Sequence, residues 1–290
     1  MFAPPRTRTE QHRMRHAHQQ AAHTLLLTSP SGPEAWGWQG RTLSRRCGDR
    51  WLRVVSQPLN KPTGHLWDGT STAEAQLPRS IPRPRLLDML EWTAGGYRYR
   101  AELSELVPWP VLQTGGPVLT REVDLPDSWW AELNAALNTL AAVPTTRQAV
   151  RQQWVDKNFP VYLGIPPVQI TDWVTGHADL HWANLCGPPL AALDWESWGL
   201  VPAGYDAGLL YAYSLCAPAT AARVRLAFAH VLDTPGGRIG ELVALAQLLQ
   251  VVSRGHHGDI AETITARVEH ITGLRVPRPS PPPEPLRGID

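Results

Sequence analysis

The run His177-Ala178-Asp179-Leu180-His181-Trp182-Ala183-Asn184 sets polar groups among apolar neighbours, and Leu193-Asp194-Trp195-Glu196 follows shortly after it. Phosphoryl transfer from a nucleotide to a hydroxyl needs a carboxylate that orients the hydroxyl or accepts its proton. It also needs an amide oxygen and a second carboxylate to hold Mg²⁺. Asp179, Asn184 and Asp194 supply those groups. The stretch also allows a different chemistry: His177, Asp179 and His181 alternate, so on an extended segment they would face one way, as ligands of a hydrolytic zinc or iron ion do. That reading leaves Asn184 and Leu193–Glu196 without a role. It also finds no further ligand cluster, since the adjacent His256 and His257 face apart.

The two segments together resemble the catalytic loop and metal-binding segment of the aminoglycoside phosphotransferase and choline kinase family, relatives of the protein kinases. The resemblance implies an α+β, two-lobed protein-kinase-like fold, with a small β-rich N-terminal lobe and a larger helical C-terminal lobe. It implies transfer of the γ-phosphate of ATP or GTP to an alcohol, with Mg²⁺ as cofactor. By position it makes Asp179 the catalytic carboxylate, sets His177 beside it as the group bracing the loop, and makes Asn184 and Asp194 the metal ligands. Glu196 would assist the metal or a water. Gly199, Pro202, Gly204, Tyr205 and Asp206 match the family's Gly/Pro turn before an aspartate that opens a helix, a structural aspartate by that reading. Residues 81–87 would be the link after the first helix of the small lobe, and 101–107 the strand entering the nucleotide hinge. The resemblance runs from about Trp36 to Leu274.

Three features depart from it. Ala178 replaces a glycine, which a negative φ would tolerate. Gly37 and Gly40 are the candidates for a phosphate-covering turn, although such a pair is common in any hairpin. Arg53 stands where the family has a lysine that pairs with the α- and β-phosphates, a task that an arginine fork can also perform. Lys61 lies beyond that strand, so Glu74, on the following helix, is the carboxylate expected to orient Arg53. These departures leave a catalytically impaired, kinase-shaped binding protein as the alternative, and the presence of Asp179, Asn184 and Asp194 together weighs against it.

The elements that must position these groups follow from pattern. Residues 1–30 read as a polar Arg/His-rich extension, 31–112 as a β-rich nucleotide-binding lobe, 113–275 as a helical catalytic and substrate lobe, and 276–290 as a Pro-rich disordered tail. Within the first lobe, 41–46 and 50–56 flank Cys47-Gly48-Asp49 as a hairpin, 71–77 reads as a short helix and 97–107 as a strand. In the second, Trp129, Trp130, Leu133, Leu137 and Leu140 recur at helical spacing, and 219–232, 238–252 and 259–274 are also helical.

Composition bounds the partners. The chain has 290 residues, 13 Trp and a formal charge of +1, which supports a packed core and disfavours nucleic-acid binding by bulk phosphate neutralisation. No apolar run approaches the roughly 20 residues of a membrane span. Three scattered cysteines and the lack of a signal-peptide core point to the cytoplasm. Trp182, Trp195 and Trp198 read as packing groups. Within 207–275, Asp233, Glu241, Asp259, Glu262 and Glu269 face six arginines, so there is no acidic surplus to bind a polycation. The expected partners are a nucleotide and a hydroxyl-bearing small molecule, an antibiotic or a metabolite, with a peptide or protein hydroxyl also open.

Overall fold

In the computed structural model, which describes residues 3–277, the chain enters through helix α1 (Arg8–Thr24) and strands β1 (Ser31–Trp36), β2 (Thr42–Cys47) and β3 (Arg50–Pro58). Helix α2 (Gly69–Gln76), β4 (Leu86–Ala94) and β5 (Tyr97–Glu105) follow. The strands form one antiparallel sheet in the order β1-β2-β3-β5-β4. Period-two alternation gives this sheet two unlike faces. Leu43, Cys47, Leu52, Val54, Ala101 and Leu103 are buried on one. Arg53 and Glu102 stand on the other.

Helix α1 covers the apolar face, so the stretch read as a polar Arg/His-rich extension over 1–30 contains a packed helix. Met14, Ala17, His18 and Ala21 are buried at positions i, i+3, i+4 and i+7, a single helical stripe. The arginines and histidines between them hide that stripe from a reading by polarity alone. Thr7 caps the helix, its Oγ1 accepting the Glu10 amide N–H at 3.2 Å. The imidazole Nε2–H of His18 donates to the Leu52 carbonyl at 3.0 Å, joining α1 to β3.

The C-terminal lobe carries α3 (Asp127–Ala141), α4 (Gln152–Asn158), β6 (Trp173–Gly176), β7 (Leu185–Cys186), β8 (Ala191–Ala192) and β9 (Gly199–Pro202). It continues through α5 (Tyr205–Ser214), α6 (Pro218–Ala227), α7 (Ala229–Leu232), α8 (Pro235–Ser253) and α9 (Ala261–Thr272). Apolar nearly all round, α5 and α8 form the centre of this lobe. Gly208 brings them together, since a Cβ there would lie 2.7 Å from the Glu241 Cα. The glutamate at that crossing is fully buried and held by Arg267 Nε at 2.7 Å. Trp182, Trp195 and Trp198 are buried packing groups, as expected. Among the described residues no helix is long and apolar enough to cross a membrane. The Pro-rich tail expected over 276–290 lies outside the described residues apart from Val276 and Pro277.

Two expected outcomes test the docking of α1. Met14→Ala lowers the unfolding free energy in urea titration by about 2–5 kcal/mol. Burial holds the His18 imidazole below its ordinary pKa of 6.5, against the raising effect of its hydrogen bond to Leu52. Below about pH 6.5 the unfolded chain therefore takes up a proton that the folded chain refuses, and stability falls with falling pH. In parallel urea titrations His18→Gln shows a shallower loss between pH 7 and 5; an unchanged slope would contradict this role.

Candidate active site

The loop that carries the candidate residues is fixed at both ends by backbone pairing. β6 pairs antiparallel with β9, Gly176 opposite Gly199, and the β7–β8 hairpin lies between them in sequence. Residues 177–184 and 193–198 thus leave neighbouring strand ends, and the Leu193 N–H donates to the Asn184 carbonyl at 2.8 Å. Asp206, in the first turn of α5, reaches back under the first loop. Its carboxylate accepts the His177 N–H at 2.6 Å and the Ala178 N–H at 2.9 Å. Between those contacts Ala178 takes φ 66°, so the negative φ under which alanine would be unstrained there is not what the fold uses. A side chain in that region costs about 1–3 kcal/mol, which the two charge-assisted bonds to Asp206 offset. The structural role expected of Asp206 is this one.

His177 is fully buried and does not line the cleft. Its Nε2–H donates to the Leu193 carbonyl at 2.9 Å, its Nδ1 accepts the Asp179 N–H at 3.3 Å, and its ring meets Trp195 edge-on with centroids 4.6 Å apart. Burial lowers its pKa and keeps it neutral. His177 is therefore a positioning group that ties the Asp179 loop to the segment before Asp194. With its nitrogens so committed, it does not converge with Asp179 and His181 on a metal. Among the described residues no group of three or more His, Cys, Asp or Glu could hold one. Burial also pushes His181 down to about 4, so its 3.7 Å approach to the Asp179 carboxylate carries no charge on the imidazole at neutral pH.

Asp179 lines the cleft floor, and burial pushes its carboxyl up to about 6, with Glu196 adding to the effect and His177 and Asn184 opposing it. The Asn184 side-chain amide donates to the Asp179 carbonyl at 3.0 Å. Asp194 sits at φ 58°, and its Oδ1 is buried without a hydrogen-bond partner, 3.6 Å from the Arg53 guanidinium.

Arg53 does not pair with Glu74. It stands directly across from Glu102 in the β3–β5 register and donates to its carboxylate at 3.0 Å, while its other Nη donates to Glu196 from the C-terminal lobe. Burial alone would weaken its hold on the proton; Glu196, Asp194 and Glu102 more than reverse that, so the guanidinium stays charged. Glu74 is taken by the link that follows its own helix, accepting from Arg83 at 2.7 Å, from Arg85 and from the Leu86 N–H at 3.2 Å. Two nearby guanidiniums saturate it, and the shorter route from Arg53 leads to the facing strand.

The glycine pair also divides. Gly37 lines the cleft, whereas Gly40, at φ 69°, turns against Pro5 and does not. Arg41 beside it is exposed and lines the cleft, and Trp38 between the glycines closes over it, meeting His256 across the lobes with ring centroids 4.7 Å apart. The space within this half-open cleft is about 270 Å³. Glu102, Arg41, Tyr213 and His257 are site residues that sequence reasoning missed. Only Glu102 left a trace there, through the strand alternation that sets it opposite Arg53.

No protein-family model matches the chain, and no curated protein matches it. Solved structures do match. A choline/ethanolamine kinase family protein from Mesorhizobium loti is 15% identical, with a TM-score of 0.55 over 90% of this chain and 95% of that one. The amicoumacin kinase hAmiN, solved with AMP-PNP, Ca²⁺ and Ami, is 12% identical, with a TM-score of 0.53 over 91% and 96%. The choline kinase LicA from Streptococcus pneumoniae is 13% identical, with a TM-score of 0.54 over 90% and 100%. The chain thus has the two-lobed α+β fold of these kinases, a β-rich first lobe and a helical second one.

The loop geometry makes a signed prediction. Ala178→Gly removes strain and raises the unfolding free energy by about 1 kcal/mol, whereas Asp206→Asn lowers it by about 1.5 kcal/mol or more. Chemical denaturation reads both, and a destabilising Ala178→Gly would contradict the strain.

Proposed function

We propose that the protein transfers the γ-phosphoryl group of ATP or GTP to an alcohol, with Asp179 at the reacting hydroxyl. The observation that carries this reading is the arrangement of Asp179 and Asp194 on one cleft floor, with the buried Asn184 bonded to the Asp179 carbonyl behind them, faced by the charged Arg53 of the other lobe. The named activities of the structurally similar kinases support it.

The residues fit Mg²⁺. Asp194 Oδ1 is a buried carboxylate oxygen without a hydrogen bond, and Asn184, whose amide nitrogen is committed to the Asp179 carbonyl, has its oxygen left as donor. Both are the hard oxygen ligands that such an ion takes, in a site that otherwise carries an excess of carboxylate. Asn184 and Asp194 would hold the ion, which when bound neutralises charge on the β- and γ-phosphates. Arg53 would pair with phosphate oxygens through the guanidinium edge that Glu102 orients, and Gly37, whose missing side chain makes room for Thr42, lines the same cleft. Glu74, turned toward Arg83 and Arg85, takes no part.

The transfer balances without further reagents. The acceptor oxygen forms a bond to the γ-phosphorus while the bond from that phosphorus to its bridging oxygen breaks, and the electron pair leaves on the nucleoside diphosphate. The hydroxyl proton passes to Asp179, whose raised pKa suits it to hold a proton briefly near neutral pH before release to solvent.

Asp179→Asn should leave nucleotide affinity within about twofold while phosphoryl transfer falls by about 10² or more. Coupled release of nucleoside diphosphate measures the second quantity, and unchanged turnover would remove Asp179 from the mechanism. Glu102→Gln is expected to raise the nucleotide KM by about tenfold, and Glu74→Gln to leave it within about twofold. The reverse order would restore Glu74 as the orienting carboxylate.

A further inference from the structure

Beyond the reacting groups, a row of rings leads away from Asp179. His181 lies beside the catalytic carboxylate, Tyr213 meets His181 edge-on with centroids 5.8 Å apart, and His257 meets Tyr213 in the same way at 6.0 Å. Val251 from the last turn of α8 and the buried Pro117 complete this wall, and Trp38 roofs it from the other lobe. Burial lowers the pKa of His257 and raises that of Tyr213, so both are uncharged at neutral pH.

The carboxylates that could have greeted an amine are engaged elsewhere. Glu241 is enclosed by Arg267 and Arg225, Asp233 is paired with Arg225, and Glu122 holds the first turn of α6 through the Ala219 and Thr220 N–H groups. Asp259 is exposed and does not line the cleft, although its charge reaches His257 and opposes the lowering of its pKa by burial. Among the described residues, the full charges lining it are Arg41 and Arg53 and the carboxylates Asp179, Asp194 and Glu196 of the reacting centre. Apart from that centre and Arg41, the wall of rings carries no full charge.

We infer that the phosphoryl acceptor is a small, uncharged alcohol with an aromatic or aliphatic ring body, seated against Tyr213, His257 and Val251 beneath Trp38; this rests on the phosphotransfer reading above. The ring body displaces water from the wall, and its hydroxyl reaches Asp179. The oxygen takes the γ-phosphoryl group, its proton goes to Asp179, and the nucleoside diphosphate leaves with the electron pair of the broken bond. A cation finds no carboxylate on this wall beyond those of the reacting centre.

The test uses the full chain with saturating Mg-ATP or Mg-GTP and equal concentrations of benzyl alcohol, 2-phenylethanol, cyclohexylmethanol, choline and kanamycin. Phosphorylated products are read by mass. The three neutral alcohols should react at least about tenfold faster than choline or kanamycin, and Val251→Asp should narrow that ratio by at least about tenfold. Choline or kanamycin as an equal or preferred acceptor, or a ratio unmoved in Val251→Asp, would overturn the inference. Calorimetry on the Mg-ADP-loaded chain gives a second readout: the neutral alcohols bind, and Tyr213→Ala weakens them about tenfold, or 1.4 kcal/mol. Nucleotide turnover to water, with no neutral ring alcohol bound or phosphorylated, refutes this acceptor class and leaves phosphotransfer standing. No binding or hydrolysis of Mg-nucleotide refutes the phosphotransfer reading, and this inference with it.

Discussion

The guanidinium of Arg53 answers three carboxylates drawn from both lobes: Glu102 from the facing strand, and Asp194 and Glu196 from the segment after the β7–β8 hairpin. Arginine is suited to this because its planar fork makes several directed bonds at once and keeps its charge when buried. A buried ion pair of this kind gives little net stability over an apolar replacement, and its loss is costly because the partners are left unpaired. Its effect on the molecule is therefore geometric. The pairing aligns β3 against β5, holds the Asp194 segment under the first lobe, and leaves more negative charge than Arg53 can neutralise. Under the proposed phosphotransfer, that surplus is what would hold a cation and, through it, nucleotide phosphates.

The rest of the inter-lobe contact supports the same juxtaposition. Arg147 donates to the Trp198 carbonyl at 3.0 Å, to Asp68 at 2.9 Å, to the His65 carbonyl at 2.8 Å and to the Glu196 carbonyl at 3.2 Å. One side chain thus joins the entry to α2 to the segment that carries Asp194 and Glu196. The indole of Trp198 donates to the Gly69 carbonyl at 3.0 Å, and the absence of a side chain at Gly69 lets the Glu196 backbone approach α2. In this chain α2 is a docking element between the lobes, and its glutamate serves the link that follows it. On the other side of the cleft, Asp206 and His177 hold the Asp179 loop from beneath, and the strained backbone at Ala178 is kept in place by the N–H groups of His177 and Ala178 donating to the buried Asp206 carboxylate.

Much of this was legible in the sequence because it depends on local order. Asp179, Asn184 and Asp194 occur on one short stretch whose spacing carries over into the loops, and Asp206 announced itself by its turn. The β2–β3 hairpin and the long helices of the second lobe follow from period and turn residues alone. What stayed hidden depends on distant partners. Glu74 looked like the natural mate of Arg53 because both lie near each other in the chain, yet Glu102 stands opposite it in the sheet and Arg83 and Arg85 claim Glu74. The packing of helix α1 stayed hidden because His18, polar by type, is buried in the middle of its apolar stripe. β4 was missed because an edge strand carrying Asp88 and Glu91 lacks a continuous apolar face. Ala178 shows the limit in its plainest form, since the sign of its φ is set by hydrogen bonds to a residue far along the chain.

The central claim is that Asp194 and the surplus charge around Arg53 exist to receive a metal–nucleotide complex. Thermal unfolding with AMP-PNP tests it most directly, run with Mg²⁺, with EDTA in its place, and on Asp194→Asn. A ligand at about a hundred times its Kd stabilises a fold by about 2.7 kcal/mol. The account predicts stabilisation of that order for the wild-type chain with Mg²⁺, little with EDTA and little for Asp194→Asn under either condition. Equal stabilisation with EDTA, or full stabilisation of Asp194→Asn, would contradict it.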